Sequence, residues 1–165
     1  MSAPLIRRFE PVEWRTYRSL RLQSVEESPD AFGRTLAEEQ QRPDAEWAAR
    51  LASDPRYDLP LLAEINGQAA GLAWGRIDAS APDSAHIYQM WVAPGHRGIG
   101  TGRMLLEEVI RWAAAAGVRR VDLGVTCGDT HATRLYARAG FEPVGDAAPL
   151  RPGSLLLAQP MRLAL

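Results

Sequence analysis

The segment of the chain with the clearest chemical meaning is a glycine-rich turn, Gly98-Ile99-Gly100-Thr101-Gly102, which follows Arg97 directly. Glycine lets a backbone approach a ligand closely, and the free N–H groups and dipole of a helix N-terminus attract phosphate oxygens. An arginine at the rim adds charge-assisted hydrogen bonds. The segment from Arg97 to Gly102 therefore predicts a cradle for a pyrophosphate group.

Alternating glycines do not by themselves identify the ligand, because a tight turn between a strand and a helix also needs them. A P-loop ends in Gly-Lys-Ser/Thr, whereas this turn continues as Gly102-Arg103-Met104, so the P-loop is excluded. A dinucleotide-binding turn requires the spacing G-x-G-x-x-G, which Gly98, Gly100 and Gly102 do not have. Another kind of nucleotide-binding α/β protein remains an alternative.

The residues from Met90 to Gly102 resemble the acyl-CoA signature of the GNAT N-acetyltransferase superfamily, and Arg97, Gly100 and Gly102 fill its three fixed positions. Further along the chain the family has a helix with Asn, Ala and Leu-Tyr at set spacings, closed by Gly-Phe. The matching residues here are Asp129, Ala132, Leu135, Tyr136, Gly140 and Phe141. Two motifs in the right order are stronger evidence than either motif alone.

The resemblance implies a single N-acetyltransferase domain over residues 1–165. Its α/β fold would be a mixed, mostly antiparallel sheet flanked by helices, with a splayed parallel strand pair that forms the acyl-CoA cleft. Acetyl-CoA would be the co-substrate. The backbone at Met90, Trp91 and Val92 would bind pantetheine and polarise the thioester carbonyl, which is the role of an oxyanion hole. The turn from Arg97 to Gly102 would bind the pyrophosphate.

Tyr136 matches the family tyrosine that protonates the departing CoA thiolate. A phenol has an ordinary pKa of about 10, so it carries a proton at neutral pH. The alternative for Tyr136 is a core aromatic whose hydroxyl is satisfied elsewhere. Asp129 departs from the family asparagine, because an ionised carboxylate only accepts hydrogen bonds. It is a candidate CoA contact, and either Asp129 or Thr130 is the candidate cap of the short helix that follows.

His86 stands where many relatives have a catalytic glutamate. An imidazole with a pKa near 6.5 suits general base catalysis at neutral pH, although a surface histidine at the start of a strand is an equal alternative. His96 and His131 are interpreted as surface or rim residues, and the three histidines lack the spacing of metal ligands, so no metal is expected. Cys127, the only cysteine, is interpreted as a small buried hydrophobe.

The acceptor is expected to be a primary amine, on a small molecule or on a protein or peptide, in a pocket built by the first two helices and their loop. Phe32 and Gly33 lie in that loop and are candidates to line the pocket. Four glutamates could attract a cationic amine, but acidic runs are more often solvated faces: Glu26, Glu27, Glu38 and Glu39.

Several elements must position these residues. Alternating apolar residues predict strands at 5–9, 59–65, 69–77, 86–92, 118–125, 141–144 and 155–163, with Asn66-Gly67 as a hairpin turn. Periodic apolar residues predict helices from about Val12, over 43–51 and over 100–116, and a capped short helix ends near Ala139. This order of elements predicts a hairpin half and a crossover half in one mixed sheet.

Composition narrows the possible partners and compartments. The chain has 165 residues and a net charge of −1, so it lacks the positive field that a nucleic-acid partner requires. All 19 basic residues are arginine, which excludes a Schiff-base lysine. No apolar run is long enough for a membrane span and no secretory signal is recognised, so a cytoplasmic protein without a membrane partner is expected. The sequence leaves a homodimer open.

These observations together predict an acyltransferase that moves the acetyl group of acetyl-CoA directly to an amine. The departures at His86 and Asp129 support one alternative, a catalytically decayed sensor or interaction module that still binds acyl-CoA. Retention of Tyr136 and of a complete glycine turn argues for the enzyme.

Overall fold

The structure is a computed structural model that describes residues 2–165. Eight strands form one sheet: β1 (Leu5–Arg8), β2 (Asp58–Ile65), β3 (Gln68–Ile77), β4 (Ser84–Val92), β5 (Arg120–Thr126), β6 (Glu142–Pro143), β7 (Ala148–Pro149) and β8 (Leu157–Ala164). The α-helices are α1 (Trp14–Glu27), α2 (Leu36–Gln40), α3 (Asp44–Leu51), α4 (Thr101–Ala115) and α5 (His131–Arg138). None of the helices in this part of the chain is long and apolar enough to cross a bilayer.

The sheet has the order β1-β2-β3-β4-β5-β8-β6, with β7 paired to β8, and only β4 and β5 run parallel. Strands β2 to β4 form an antiparallel meander because short connections join them, and β1, which α1 to α3 separate from β2 along the chain, pairs antiparallel with β2. At the β2–β3 turn Asn66 and Gly67 have φ of 53° and 74°, the left-handed values of a two-residue hairpin turn. The mixed, mostly antiparallel sheet with one parallel pair was predicted correctly.

A crossover through α4 connects β4 to β5. The helix predicted over 100–116 forms over Thr101–Ala115, and its Leu105, Leu106, Val109 and Ala113 are all buried against the sheet. Helices α1 and α3 cover the opposite face, where Tyr17, Leu20, Trp47 and Leu51 form a second core with Leu62, Leu72, Trp74 and Trp91. The sheet is therefore packed on both faces, as a parallel crossover requires.

Strand β4 contains a bulge that reverses which face its side chains occupy. Before the bulge Ala85 and Ile87 face α4, whereas after it Met90 and Val92 pack on that same core. One extra residue explains the change, because side chains alternate with a period of two. Gln89 marks the bulge with φ of 60°, an unusual value for a residue other than glycine.

Some elements differ from their sequence prediction. The short helix α2 and the two-residue strand β7 were not predicted. Of the two candidate caps of α5, Asp129 and Thr130, the cap is Thr130, whose side chain accepts from the Thr133 amide. The interpretation of Cys127 as a buried hydrophobe was wrong. It lies exposed just beyond the end of β5, where the strand has already left the core.

Gly71 allows β3 to lie close to the end of β4. A Cβ atom at this position would lie 2.7 Å from the carbonyl oxygen of Trp91, and backbone must move to relieve that clash. We expect Gly71→Ala to lower the free energy of unfolding by about 1–3 kcal/mol, the usual cost of overpacking. The control is Gly124→Ala in β5, where an added Cβ meets nothing within 4 Å. Equal denaturant midpoints for the two variants would contradict this account.

Candidate active site

Strands β4 and β5 pair over a short stretch and then separate. Their register contains only Ser84–Arg120, Ala85–Val121 and His86–Asp122, after which the strands diverge. A cleft of about 1490 Å³ begins at this opening and extends to α1 and the loop after it. Polar and apolar groups from both strands line the cleft, so it can hold an extended ligand.

The bulge of β4 lies in the wall of this cleft. Trp74 pairs with Tyr88 and Leu72 with Trp91, so Gln89 and Met90 together face one residue of β3. A bulged residue leaves the ladder, and its N–H is free to bind a ligand. Gln89 and Met90 both line the cleft, and the predicted backbone donors from Met90 to Val92 therefore begin where β4 leaves its regular pairing.

The glycine turn leads from the end of β4 into α4. Gly98 and Gly100 have φ of 83° and 88°, which other residues rarely adopt, and an added Cβ at Gly98 would meet nothing within 4 Å. The first turn of α4 has amide groups without acceptors inside the helix. An open, glycine-lined backbone at a helix N-terminus fits a phosphate group.

Two residues of this turn contribute to packing. Thr101 is buried and its hydroxyl donates to the carbonyl of His96 across 3.4 Å, so only its backbone is available to a ligand. Gly102 lies against α5, where an added Cβ would come 3.4 Å from Leu135. Ile99 is half-buried. The turn thus positions α4 against α5 as well as presenting its amides.

The side chain of Arg97 points away from the turn. Its Nε donates to the carbonyl of Val92 across 2.8 Å, and its Nη2 donates to Glu27 across 2.9 Å. The same Glu27 oxygen accepts from the indole of Trp91 at 2.9 Å. Hydrogen bonds from Ser28, Trp91 and Arg97 hold the pKa of Glu27 below its usual range, so this glutamate is an anion at the end of α1.

Tyr136 is buried and lines the cleft from α5, on the face of the sheet that α4 covers. Its ring packs on Phe141 with a centroid distance of 5.9 Å, which connects the two parts of the second sequence motif. Burial raises the pKa of the Tyr136 phenol above its ordinary value. The hydroxyl is therefore a proton carrier at neutral pH and cannot act there as a base.

His86 lies on the opposite face of the sheet, at the point where β4 and β5 separate. It stacks on Tyr88 with a centroid distance of 5.1 Å and faces Asp122, its partner in the β5 register. Burial lowers the pKa of His86, the Asp122 carboxylate opposes that effect, and Arg162 adds to it. Arg162 also binds Asp122 at 2.7 Å and 3.2 Å, which leaves the imidazole neutral near pH 7.

Asp129 lies outside the cleft wall. Its exposed carboxylate pairs with Arg134 at 3.0 Å, and Thr130 takes the cap of α5 instead. A contact between Asp129 and CoA stays a prediction. Within residues 2–165 no three His, Cys, Asp or Glu side chains cluster as metal ligands would.

The loop after α1 contributes to the cleft as the sequence predicted, since Phe32 and Gly33 both line it. The interpretation of Glu39 as part of a solvated face was wrong, because its side chain is only 1% exposed and lies among arginines. Sequence reasoning also missed Arg21, which stands on the buried stripe of α1 with Tyr17. A charged residue on an apolar helix face was the signal that could have found it.

A comparison with protein families supports the resemblance. The model described as the acetyltransferase (GNAT) family matches residues 15–141. An L-2,4-diaminobutyric acid acetyltransferase of Nocardia farcinica is 26% identical over 149 residues, which are 80% of this chain and 72% of that protein. A mycothiol acetyltransferase of Kineococcus radiotolerans is 40% identical over 95 residues, 56% of this chain, and the match covers only 30% of that relative's length.

Solved structures share the fold. A GNAT-family acetyltransferase from Streptococcus pneumoniae has a TM-score of 0.82 and 26% identity, and the match covers 99% of this chain and 100% of that one. The structure of yncA from Salmonella typhimurium with its cofactor acetyl-CoA has a TM-score of 0.77 at 23% identity, over 99% and 95% of the two chains. The element order and the opened strand pair are therefore those of a known fold.

The environment of His86 can be tested by titration. We expect its imidazole signals in NMR spectra to report a pKa below the ordinary value. Asp122→Asn should lower that pKa further, because it removes the carboxylate that stabilises the imidazolium and leaves Arg162 uncompensated. Asp83→Asn, an exposed neighbour at the same edge, should change nothing. An unchanged or higher pKa in Asp122→Asn would show that His86 does not sense Asp122.

Proposed function

Since its residues 15–141 match that family model, the chain belongs to the GNAT acetyltransferase family, and we propose that it transfers the acetyl group of acetyl-CoA directly to a primary amine. One observation carries the proposal: the cleft at the opening between β4 and β5 has the bulge at Gln89 and Met90 and the side chains of His86 and Tyr136 in its walls, and the glycine turn follows the end of β4. The chain spans about a third of the mycothiol acetyltransferases that it matches, so their activity is no guide to its acceptor.

The backbone would hold most of the co-substrate. The thioester of bound acetyl-CoA supplies an activated acetyl group. Amides of the bulged segment from Met90 to Val92 bind pantetheine and stabilise negative charge on the thioester oxygen. Amides from Gly98 to Gly102 bind the pyrophosphate, and Arg97 reaches it only by exchanging its contact with Glu27.

His86 would take a proton from the acceptor ammonium group, so that the free amine can attack. It is neutral near pH 7 and lies at the vertex of the opened strands, on the face of the sheet that α1 covers. Asp122 stabilises the imidazolium that forms, because it faces the ring from β5. Water in the cleft that contacts His86 would then carry this proton to the solvent.

Tyr136 would return a proton to the CoA thiolate as that group leaves. Its phenol lies on the other face of the sheet from His86, which separates the acid from the base. The raised pKa keeps the phenol protonated at neutral pH, so a proton is present beside the thiolate when that group leaves. The two proton transfers therefore use opposite sides of one opening.

The cradle assignment can be tested by binding. Gly100→Val forces a branched side chain into a left-handed conformation at a cost of ~1–2 kcal/mol, so we expect calorimetric affinity for acetyl-CoA to fall about tenfold or more. Gly95→Val, where an added Cβ meets nothing and φ is not left-handed, is the matched control. ATP and NAD test the nucleotide alternative. Unchanged acetyl-CoA affinity in Gly100→Val would refute the cradle.

The acid role of Tyr136 predicts a separation of turnover from binding. Tyr136→Phe keeps the buried ring but removes the proton, and kcat should fall about 100-fold. Calorimetric affinity for acetyl-CoA should change little, since the predicted contacts to the co-substrate are backbone ones. Wild-type turnover in a folded Tyr136→Phe protein would exclude the acid role.

A further inference from the structure

A buried arginine at the acceptor side of the cleft has an unused donor. Arg21 is 4% exposed, lines the cleft, and its Nη1 has no hydrogen-bond partner among residues 2–165. An unpaired buried donor on a charged group is costly, and native structures normally satisfy it. A ligand group that accepted this hydrogen bond would remove that cost.

The charges around Arg21 do not balance. Its Nε lies 3.1 Å from one oxygen of Glu39, and Nη1 of Arg50 lies 3.9 Å from that same oxygen. The other Glu39 oxygen binds Arg42 at 2.9 Å, and Arg42 also reaches the exposed Glu46. Two guanidinium groups on the cleft wall thus share a single carboxylate oxygen, which leaves positive charge uncompensated.

Other acidic residues of the cleft lie at its exposed rim. Glu27 is committed to Arg97, and Glu38 pairs with Arg34 at 3.4 Å. Asp30 lies in the exposed turn after α1. Two of these rim acids are thus paired with arginines of their own, and they do not offset the positive charge of the floor beside α1.

Aromatic rings hold both arginines in place. The guanidinium carbon of Arg21 lies 4.6 Å from the centroid of Phe32, and that of Arg50 lies 5.2 Å from the centroid of Trp47. Stacking fixes the plane of a guanidinium and leaves its N–H edge free. Planar N–H edges match a carboxylate better than any neutral group does.

This basic pair is linked to the bulge by a short chain of contacts. Arg50 donates to the hydroxyl of Tyr17 across 3.5 Å, and Tyr17 donates to the side chain of Gln89 across 2.7 Å. Gln89 is the bulged residue of β4. The anion-binding groups and the proposed thioester site are thus separated by the side chains of two residues, Tyr17 and Gln89.

We propose that the acceptor is a small amino acid-like molecule whose carboxylate binds Arg21 and Arg50 while its amine reaches the bulge at Gln89. This assignment rests on the proposed acetyltransferase function and names its substrate class. The amino terminus of a protein carries a neutral peptide bond near its amine, so it would leave the basic pair uncompensated. A free amino acid supplies the missing charge.

Paired acceptors test the assignment. The standard L-amino acids and L-2,4-diaminobutyrate are each assayed for CoA release beside their carboxamides, and 1,3-diaminopropane serves as the decarboxylated diamine. We expect at least one acid to exceed its carboxamide by about tenfold or more in kcat/KM, because only the acid offers a second charged end. Equal rates for acids and carboxamides, or a preference for peptide amino termini, would overturn the proposal.

Variants locate the effect. Arg50→Gln should raise KM for the acid about tenfold and leave its carboxamide unaffected, a difference that a purely structural role would not produce. Arg21→Gln removes the charge of the other arginine of the pair. Arg21→Lys keeps the charge but lacks the planar fork of the guanidinium, and it is used in place of Arg21→Gln if that variant misfolds. Arg111→Gln, an exposed arginine on α4, is the control. An equal rise in KM for the acid and for its carboxamide in Arg50→Gln would also overturn the proposal.

A binding measurement distinguishes a wrong substrate class from a wrong proposed function. If no compound releases CoA from folded protein, the acetyltransferase function fails. Calorimetry on the CoA-loaded protein still reports the carboxylate site, because the acid should then bind about tenfold more tightly than its carboxamide, and Arg50→Gln should abolish the difference. Equal binding of the two, or no binding of either, would mean that the basic pair is structural.

Discussion

The constraint on which the site depends is that two parallel strands pair at three positions and then separate. Beyond His86 and Asp122, β4 and β5 can no longer satisfy one another's backbone groups. The open edges are tolerated because a ligand can take the place of a missing strand. Helix α4 is the next α-helix after β4, so its N-terminus and the glycine turn lie beyond the end of β4.

The bulge at Gln89 makes this arrangement compatible with two cores. Without the extra residue, Trp91 would point toward α4 and Met90 toward α1. Each side chain would then lie in the core that the other one packs in. His86 and Tyr88 lie before the parity change, on the α1 face, while Tyr136 approaches from the α4 face. The acid and base candidates therefore lie on two sides of the sheet, and the bulge between them in the cleft wall interrupts the pairing of β4.

Local patterns predicted much of the fold and part of the site. The hairpin at Asn66, the stripe of α4 and the glycine turn each have a local signal, since turn chemistry and periodicity act over a few residues. The pairing of Arg21 with Glu39 has none, because it joins α1 to a five-residue helix too short to show a period. The exposure of Cys127 was missed for a related reason: where a strand leaves the core is decided by its neighbours.

The contact of Glu27 with Arg97 and Trp91 joins the last residue of α1 to the end of β4. An anion that draws Arg97 toward the turn weakens this tie and frees the start of the loop that follows α1. That loop carries Phe32, which stacks on Arg21. Binding of an anion at the turn and binding of a ligand beside α1 are then thermodynamically linked. Each ligand must change the affinity of the protein for the other ligand by an equal factor.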